Sequence, residues 1–395
     1  MIERAKTKFG LLPCLSRCSR NAGQKAALEL TAVIRGDRCE GVTAVFSMAA
    51  MRNLIMTSLL VIGFTAVLSA GAALAGDTAV EVDIHDPAMA EQNGTYTLYS
   101  TGPGIPFYSS KDRVHWSARG RVFASEPTWG RSITARFDGH IWAPDISYAG
   151  GWYYLYYSVS GFGKNDSAIG VAVNKTLDPA SPDYKWDDKG IVIRSVAGRD
   201  DWNAIDANVI ADDKGTPWMV FGSFWSGIKL VKLNADRLGL AVPEEWHTLA
   251  AHPRTTVEDV KAPGDGAIEG PFLFKRAGYY YLFVSTGFCC RGKASTYRIA
   301  LGRAKDITGP YLDRNGRDMA AGGGTPLISQ NPKWSGWGGQ GVYRFGDKDY
   351  VVMHAYEAAD NNFHRLKILV LDWDADGWPA VDGAALDRFH TTLKP

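Results

Sequence analysis

The sequence predicts an all-β protein, a five-bladed β-propeller with a central funnel. Three observations carry this expectation. Beyond residue 78 there is no long segment of helical period, only short Tyr-, Val-, Ile-, Trp- and Phe-rich runs broken by Gly, Asp, Asn and Pro. The runs recur as five units, each with a head residue, a short strand, a polar turn with Gly, and an aromatic-rich strand. A further strand pair follows in the same place in every unit, giving roughly four strands per unit, the pattern of blades around a channel. Two sandwich domains would also be rich in strands, but the even spacing favours the propeller.

The units begin at Asp86 (DPAMAEQNGTYTLYS), Asp145 (DISYAGGWYYLYYS), Asp206 (DANVIADDKGTPWMVFGS), Glu269 (EGPFLFKRAGYYYLFVS) and Gln340 (QGVYRFGDKDYVVMH). The heads are 59, 61, 63 and 71 residues apart. The intervening pairs are GIPFYSSKDRVHW, SAIGVAVNKTLDP, SGIKLVKLNADRL, YRIALGRAKDITGPY and LKILVLDWDADGWP. In a propeller the innermost strand of each blade starts at one mouth of the channel. The acidic heads Asp86, Asp145, Asp206 and Glu269 are therefore expected to ring one funnel. The second strands end in Ser100, Ser158, Ser223 and Ser285, and, out of pattern, in His354.

Ahead of the repeats, residues 52–75 hold one Arg, a long uncharged stretch and Ala-Leu-Ala. That is the layout of a secretory signal peptide beginning at Met51 and cut after Ala75. Residues 1–50 then read as an over-extended gene start or a disordered extension, and 76–395 as the five-bladed propeller domain. The alternative is a cytoplasmic extension with an uncleaved anchor, since 54–75 is long enough to span a bilayer. Cleavage implies a secreted or periplasmic protein with no membrane association afterwards.

Nine of the 43 basic and four of the 42 acidic residues lie in 1–75, so 76–395 carries 34 against 38, a net charge of −4. No basic stripe argues for a nucleic-acid partner. All 13 Trp follow residue 75. Aromatic richness suits carbohydrate, whose C–H faces stack on rings, although Trp also fills cores. Cys14, Cys18 and Cys39 precede the expected cut, leaving only the adjacent Cys289 and Cys290 and hence no disulfide framework. Adjacent Cα atoms lie about 3.8 Å apart, short of the usual disulfide range of roughly 4.4–6.8 Å. A strained vicinal disulfide and two plain thiols both remain open.

Carboxylates at a funnel mouth can bind a cation, perform acid–base chemistry or cap strand ends. Their wide spacing lacks a compact ligand loop, which weakens the cation reading. Capping suits Asp206, in an Asp-Ala-Asn turn. Acid–base chemistry on a glycosidic bond needs one carboxyl protonated and another ionised. Glu269 lies among Ile268, Pro271 and Phe272, apolar flanks that raise a pKa. Asp86, in His-Asp-Pro, is expected to stay ionised.

The ordered stretches IHDPAM (84–89), IWAPDI (141–146), NAIDANV (203–209), FGSFWSGIKL (221–230), AIEGPF (267–272) and FCCRG (288–292) add a resemblance, continued to DGWP (376–379). Together they resemble the five-bladed glycoside hydrolases of family 43, most of all the endo-acting α-1,5-L-arabinanases. The resemblance implies cleavage of internal α-1,5-L-arabinofuranosidic bonds with inversion. It implies that Asp86 is the general base, Glu269 the general acid, and Asp145 the group that orients Glu269 and holds its pKa up. An inverting pair is expected to stand about 6.5–9.5 Å apart, leaving room for water.

Substrate contacts are implied at Gly163, Asn203, Ile205, Asp206, Ser223, Phe224 and Trp225. Asn203 and Ser223 read equally as turn-closing residues, and Trp225 as core. The resemblance also implies a cation, often calcium, in the channel, held by His354 and mostly by water. A lone inward His is otherwise a hydrogen-bonded structural residue, and calcium prefers oxygen ligands, so such a site would be weak. The implied partner is arabinan or an arabino-oligosaccharide, acted on by a monomer without an organic cofactor. STGFCC (285–290), where an acidic residue is expected near the Cys pair, and Gln340, where a His is usual, depart from the pattern. Both bear on the far subsites. The rivals are an exo-acting α-L-arabinofuranosidase or β-xylosidase on the same scaffold, and a non-catalytic propeller that binds arabino-oligosaccharide. DWDADG (372–377) resembles an EF-hand start but lacks the Glu at position twelve and reads as a hairpin turn.

Overall fold

The computed structural model describes residues 30–35, 38–44, 81–135, 137–253, 266–329, 331–359 and 363–394. The chain divides into two compact units, Met1–Leu74 and Ala75–Pro395. In the first, Leu30–Arg35 and Arg38–Ala44 pair as an antiparallel hairpin. The expected signal segment, residues 51–75, lies outside the described residues.

Five blades make up the second unit. Blade 1 is Ala88–Gln92, Thr95–Tyr99, Pro106–Ser110 and His115–Arg121. Blade 2 is His140–Ala149, Trp152–Val159, Ser167–Asn174 and Asp187–Ser195. Blade 3 is Asn208–Ala211, Pro217–Phe221, Ile228–Lys232 and Trp246–Ala250. Blade 4 is Ile268–Arg276, Tyr279–Thr286, Arg298–Ala304 and Thr325–Pro326. Blade 5 is Trp334–Phe345, Lys348–Glu357 and His364–Val370. The expected strand pairs supply the third strand of every blade.

The apolar residues lie between blades. Tyr156, Ile169, Val209, Met219 and Phe221 pack blade 2 on blade 3. Phe283, Leu301, Val342, Val351 and Met353 pack blade 4 on blade 5. Full burial of each such side chain contributes about 1.5–3 kcal/mol. A middle strand has a neighbour on both faces, which is why Ser167–Asn174 is buried throughout and reads as a continuous run.

Blade 5 departs from the four-strand expectation. Its outer edge is completed from the start of the domain: Asp83 bridges Arg365, Leu366 N donates to Val82 O at 3.3 Å, and Ile84 N donates to His364 O at 3.4 Å. At the other end of the chain, Thr392–Lys394 lies parallel to His115–Arg121 on blade 1. The DWDADG stretch forms a hairpin, Asp372–Trp373 pairing with Pro379–Ala380.

A left-handed residue stands just before or within each inner strand: Asp86 (φ 49°), Ala143 (42°), Asp206 (61°), Gly270 (56°) and Gly339 (56°). Three of these fall where pairing slips, between Trp142 and Asp145, Glu269 and Phe272, and Gly338 and Gly341. Such β-bulges bend a strand and re-aim its side chains. They also correct the register expected of the heads. Asp86 and Asp206 are equivalent, Glu269 stands one residue before its left-handed position, and Asp145 two residues after. Bulges add residues without changing composition, so spacing alone could not reveal this.

Candidate active site

The heads Asp86, Asp145, Asp206 and Gln340 line one cavity together with Tyr297 and with Gly270, the neighbour of Glu269. What separates the heads is the partner each has been given.

Asp86 is held by two imidazoles and a hydroxyl. Its Oδ2 is 2.8 Å from His85 Nδ1 and accepts from Thr101 Oγ1 at 2.7 Å, and its Oδ1 is 3.7 Å from His354 Nδ1. Burial works to raise its pKa. The charge and hydrogen bond of His85, then His354 and Thr101, outweigh burial and hold Asp86 well below the usual carboxylate range. His85 responds in the opposite sense: burial disfavours its charge, yet Asp86 holds its pKa above the ordinary imidazole value.

Glu269 has the contrary environment. Burial raises its pKa, and the charge of Asp86 adds to that, against hydrogen bonds from Ser223 and Tyr297. Ser223 Oγ donates to Glu269 Oε2 at 2.7 Å. Asp206 is pushed up more strongly, by burial first and then by the charges of Glu269 and Asp86, against one hydrogen bond from Gly270 N at 3.1 Å. Burial raises both carboxyls and the charge of Glu269 raises Asp206 further, so the pair keeps a proton above the usual carboxylate range.

Asp145 does not have the place the resemblance implied. It is buried, accepting from Asn208 Nδ2 and from Val209 N, each at 3.0 Å. Burial pushes it up to about 6 against those two bonds and one from Ile146. Its partners join blade 2 to blade 3, whereas the carboxylates that raise Asp206 are Glu269 and Asp86, and the one that raises Glu269 is Asp86. The two-residue offset from the left-handed position carries Asp145 into the blade interface, so the strand-capping role expected of Asp206 belongs to Asp145, and the expected like-charge neighbour of Glu269 is Asp206.

The second-strand termini explain the Ser pattern and its exception. Each reaches the head of the next blade. Ser158 Oγ accepts from Asp206 N at 3.1 Å. Ser223 serves Glu269. Ser285 Oγ donates to Gln340 Oε1 at 2.7 Å and accepts from Gly339 N at 3.0 Å. His354 Nδ1 accepts from Asp86 N at 3.3 Å, closing the ring onto blade 1. In blade 1 the task falls to Thr101, one residue past Ser100, whose Oγ1 accepts from Ala143 N at 2.9 Å.

The implied substrate contacts divide. Phe224 is partly exposed in a left-handed conformation (φ 52°), its N bonded to Ile268 O at 2.8 Å and its ring 5.8 Å from Phe288. Gly163 is exposed in the loop after the second strand of blade 2, on the same face as the heads. Asn203, Ile205 and Trp225 are buried at 3, 7 and 3 % exposure, so their side chains are interior. Asn203 Oδ1 is committed to Ser167 Oγ at 2.7 Å. The motif singles out these segments, but only packing sets the side-chain direction. His85, Thr101, Tyr297 and Asn208 escaped sequence reasoning. His85 and Thr101 each adjoin a residue that was singled out, whereas Tyr297 carries no local signal.

His354 is fully buried, stacked on His85 with ring centroids 3.9 Å apart, and burial followed by the His85 charge drives its pKa well below the ordinary value. Its Nε2 has no hydrogen-bond partner. With Nδ1 accepting from Asp86 N, a neutral ring carries its proton on Nε2, which suits water. A cation at Nε2 fits the opposite tautomer, with the Nδ1 proton turned to the Asp86 carboxylate.

Comparison with known proteins follows the same lines. The family model described as glycosyl hydrolases family 43 matches residues 78–379. An extracellular exo-α-(1→5)-L-arabinofuranosidase of Cellvibrio japonicus is 57% identical over 311 residues, 79% of this chain and 90% of the relative. An extracellular endo-α-(1→5)-L-arabinanase of Bacillus subtilis is 41% identical over 301 residues, 75% of this chain and 87% of its own. The structure of Cellvibrio cellulosa α-L-arabinanase complexed with arabinohexaose superposes with a TM-score of 0.78 at 56% identity, covering 80% of this chain and 100% of that one.

Proposed function

The chain belongs to glycosyl hydrolases family 43, and from this premise we propose that it hydrolyses α-1,5-linked arabinan with inversion, Asp86 as general base and Glu269 as general acid. The observation that carries the reading is the opposite tuning of carboxyls in one funnel: Asp86 held ionised by His85 and Thr101, Glu269 and Asp206 held toward protonation by burial and by neighbouring carboxylate charge. Asp86 takes a proton from water as the water attacks the anomeric carbon, and Glu269 gives its proton to the departing oxygen. Asp206, in place of Asp145, keeps Glu269 protonated between turnovers. A cation, if bound, would be held by His354 Nε2 and water, and would add positive charge beside Asp86.

On mode of action, the 57% identity to an exo-acting relative against 41% to an endo-acting one favours attack from chain ends over the internal cleavage expected from sequence. Both relatives are named extracellular, which supports export. The test is product analysis. Short products of one size from debranched arabinan, with none from xylan, are expected, and their newly formed anomer should be inverted by NMR. A ladder of oligomers would return the mode to endo. Asp86→Asn and Glu269→Gln should each lower kcat about 10³-fold or more at unchanged fold; near-normal turnover in either purified variant would remove the mechanism.

A further inference from the structure

Cys289 and Cys290 are joined as a vicinal disulfide in the loop after the second strand of blade 4, with Cys290 exposed at the surface. The loop does not merely border the funnel. Cys290 Sγ lies 3.8 Å from His85 Nε2, and Cys290 N donates to Tyr356 Oη, itself 3.3 Å from the same nitrogen. The other face of that imidazole is fixed, because His85 Nδ1 stands 2.8 Å from the Asp86 carboxylate. A proton on Nδ1 shared with the carboxylate leaves the Nε2 lone pair directed at the sulfurs. This carboxylate–imidazole order is the one that orients a metal-ligating histidine.

We infer that the reduced Cys289–Cys290 pair and His85 Nε2 form a site for one thiophilic divalent cation such as zinc or cadmium. The three ligand atoms already lie within 4.8 Å of one another. Metal–ligand bonds of about 2.3 Å to sulfur and about 2.0 Å to nitrogen place tetrahedral ligands roughly 3.5 Å apart, so a small adjustment closes the set and leaves one position for water. The site exists only after reduction. A dithiol transfers two electrons and two protons to the Cys289–Cys290 bond and leaves as its own cyclic disulfide; the cation then displaces the two thiol protons. The disulfide offers no thiolate and so no site. Occupancy ties down the imidazole that pairs with Asp86 and couples the redox state of the loop to the funnel.

The test uses the full chain with Cys14, Cys18 and Cys39 replaced by Ser, so that these thiols do not compete. One sample is left oxidised; another is reduced with dithiothreitol and desalted under argon. Each is titrated with cadmium alone, following the thiolate-to-cadmium ultraviolet band and bound cadmium after gel filtration. The reduced chain is expected to take up one equivalent with the band, and the oxidised chain none. The reduced chain with Cys289→Ser and Cys290→Ser should take up none, as should reduced chain blocked with iodoacetamide, a control that needs no further substitution. His85→Gln should keep the band and weaken binding at least tenfold. Arabinan hydrolysis by the reduced chain should fall at least tenfold with bound cadmium. Uptake that is equal in oxidised and reduced chain, absent in both, or unaffected by blocking Cys289 and Cys290 overturns the site. The binding measurements stand whatever the substrate proves to be.

Discussion

At the scale of single residues, Asp145 is a buried head and Asp206 a half-buried one, and they have opposite roles. Asp145 spends its two oxygens on Asn208 and Val209, while Asp206 faces Glu269 with one backbone donor. Removing the Asp206 charge makes ionisation of Glu269 easier, so the Glu269 pKa falls. Asp206→Asn is therefore expected to move the alkaline limb of the kcat/KM profile to lower pH. Asp145→Ala strands two buried donors and should cost about 2 kcal/mol or more in denaturant unfolding, with the limb left in place. A limb that moves for Asp145→Ala and not for Asp206→Asn would restore the role first implied for Asp145. Asp86 and Glu269 were legible in sequence through His-Asp-Pro and the apolar flanks of Glu269. Tyr297 was not, because a residue that reaches the site from a loop leaves no periodic mark.

The strands and their bulges are the next scale. Alternation and turn residues disclosed every blade's second and third strand. The bulges at the inner-strand starts were hidden, since they shift pairing without altering residue type, and they decide which head faces the funnel. Gly339 shows how tightly one is built: a Cβ there would meet Asp86 Oδ1 and His354 Cε1, the latter at 2.8 Å, in a backbone at φ 56° that L side chains disfavour. Gly339→Ala is expected to displace the Asp86 carboxylate and lower kcat at least tenfold, with a smaller effect on melting. Unchanged turnover would mean that the bulge yields without moving Asp86. The recurrent Ser at the second-strand ends was visible as a pattern, and its cause lies in the following blade.

For the whole molecule, closure is the main energetic question, because a ring of blades leaves no edge only if its last joint is sealed. Two short pieces seal it. Val82–Ile84 completes blade 5, and Thr392–Lys394 extends blade 1, with Thr391 Oγ1 accepting from Val82 N at 3.4 Å to tie the two ends together. Deletion of residues 391–395 should lower the melting temperature by roughly 5 °C, in line with a loss of about 2 kcal/mol, and leave the pH profile of the remaining folded enzyme unchanged. No change in melting would show that the N-terminal piece closes the ring unaided. Strand identity, blade number and the acidic, aromatic-rich mouth follow from residue type and period, which are local properties that the sequence carries openly. Closure by distant segments, the true register of the heads, the exchange between Asp145 and Asp206, and the meeting of Cys290 with His85 across 205 positions came only with the tertiary structure. Each depends on residues far apart in the chain, and a pattern confined to neighbouring positions holds no record of which distant group will stand opposite.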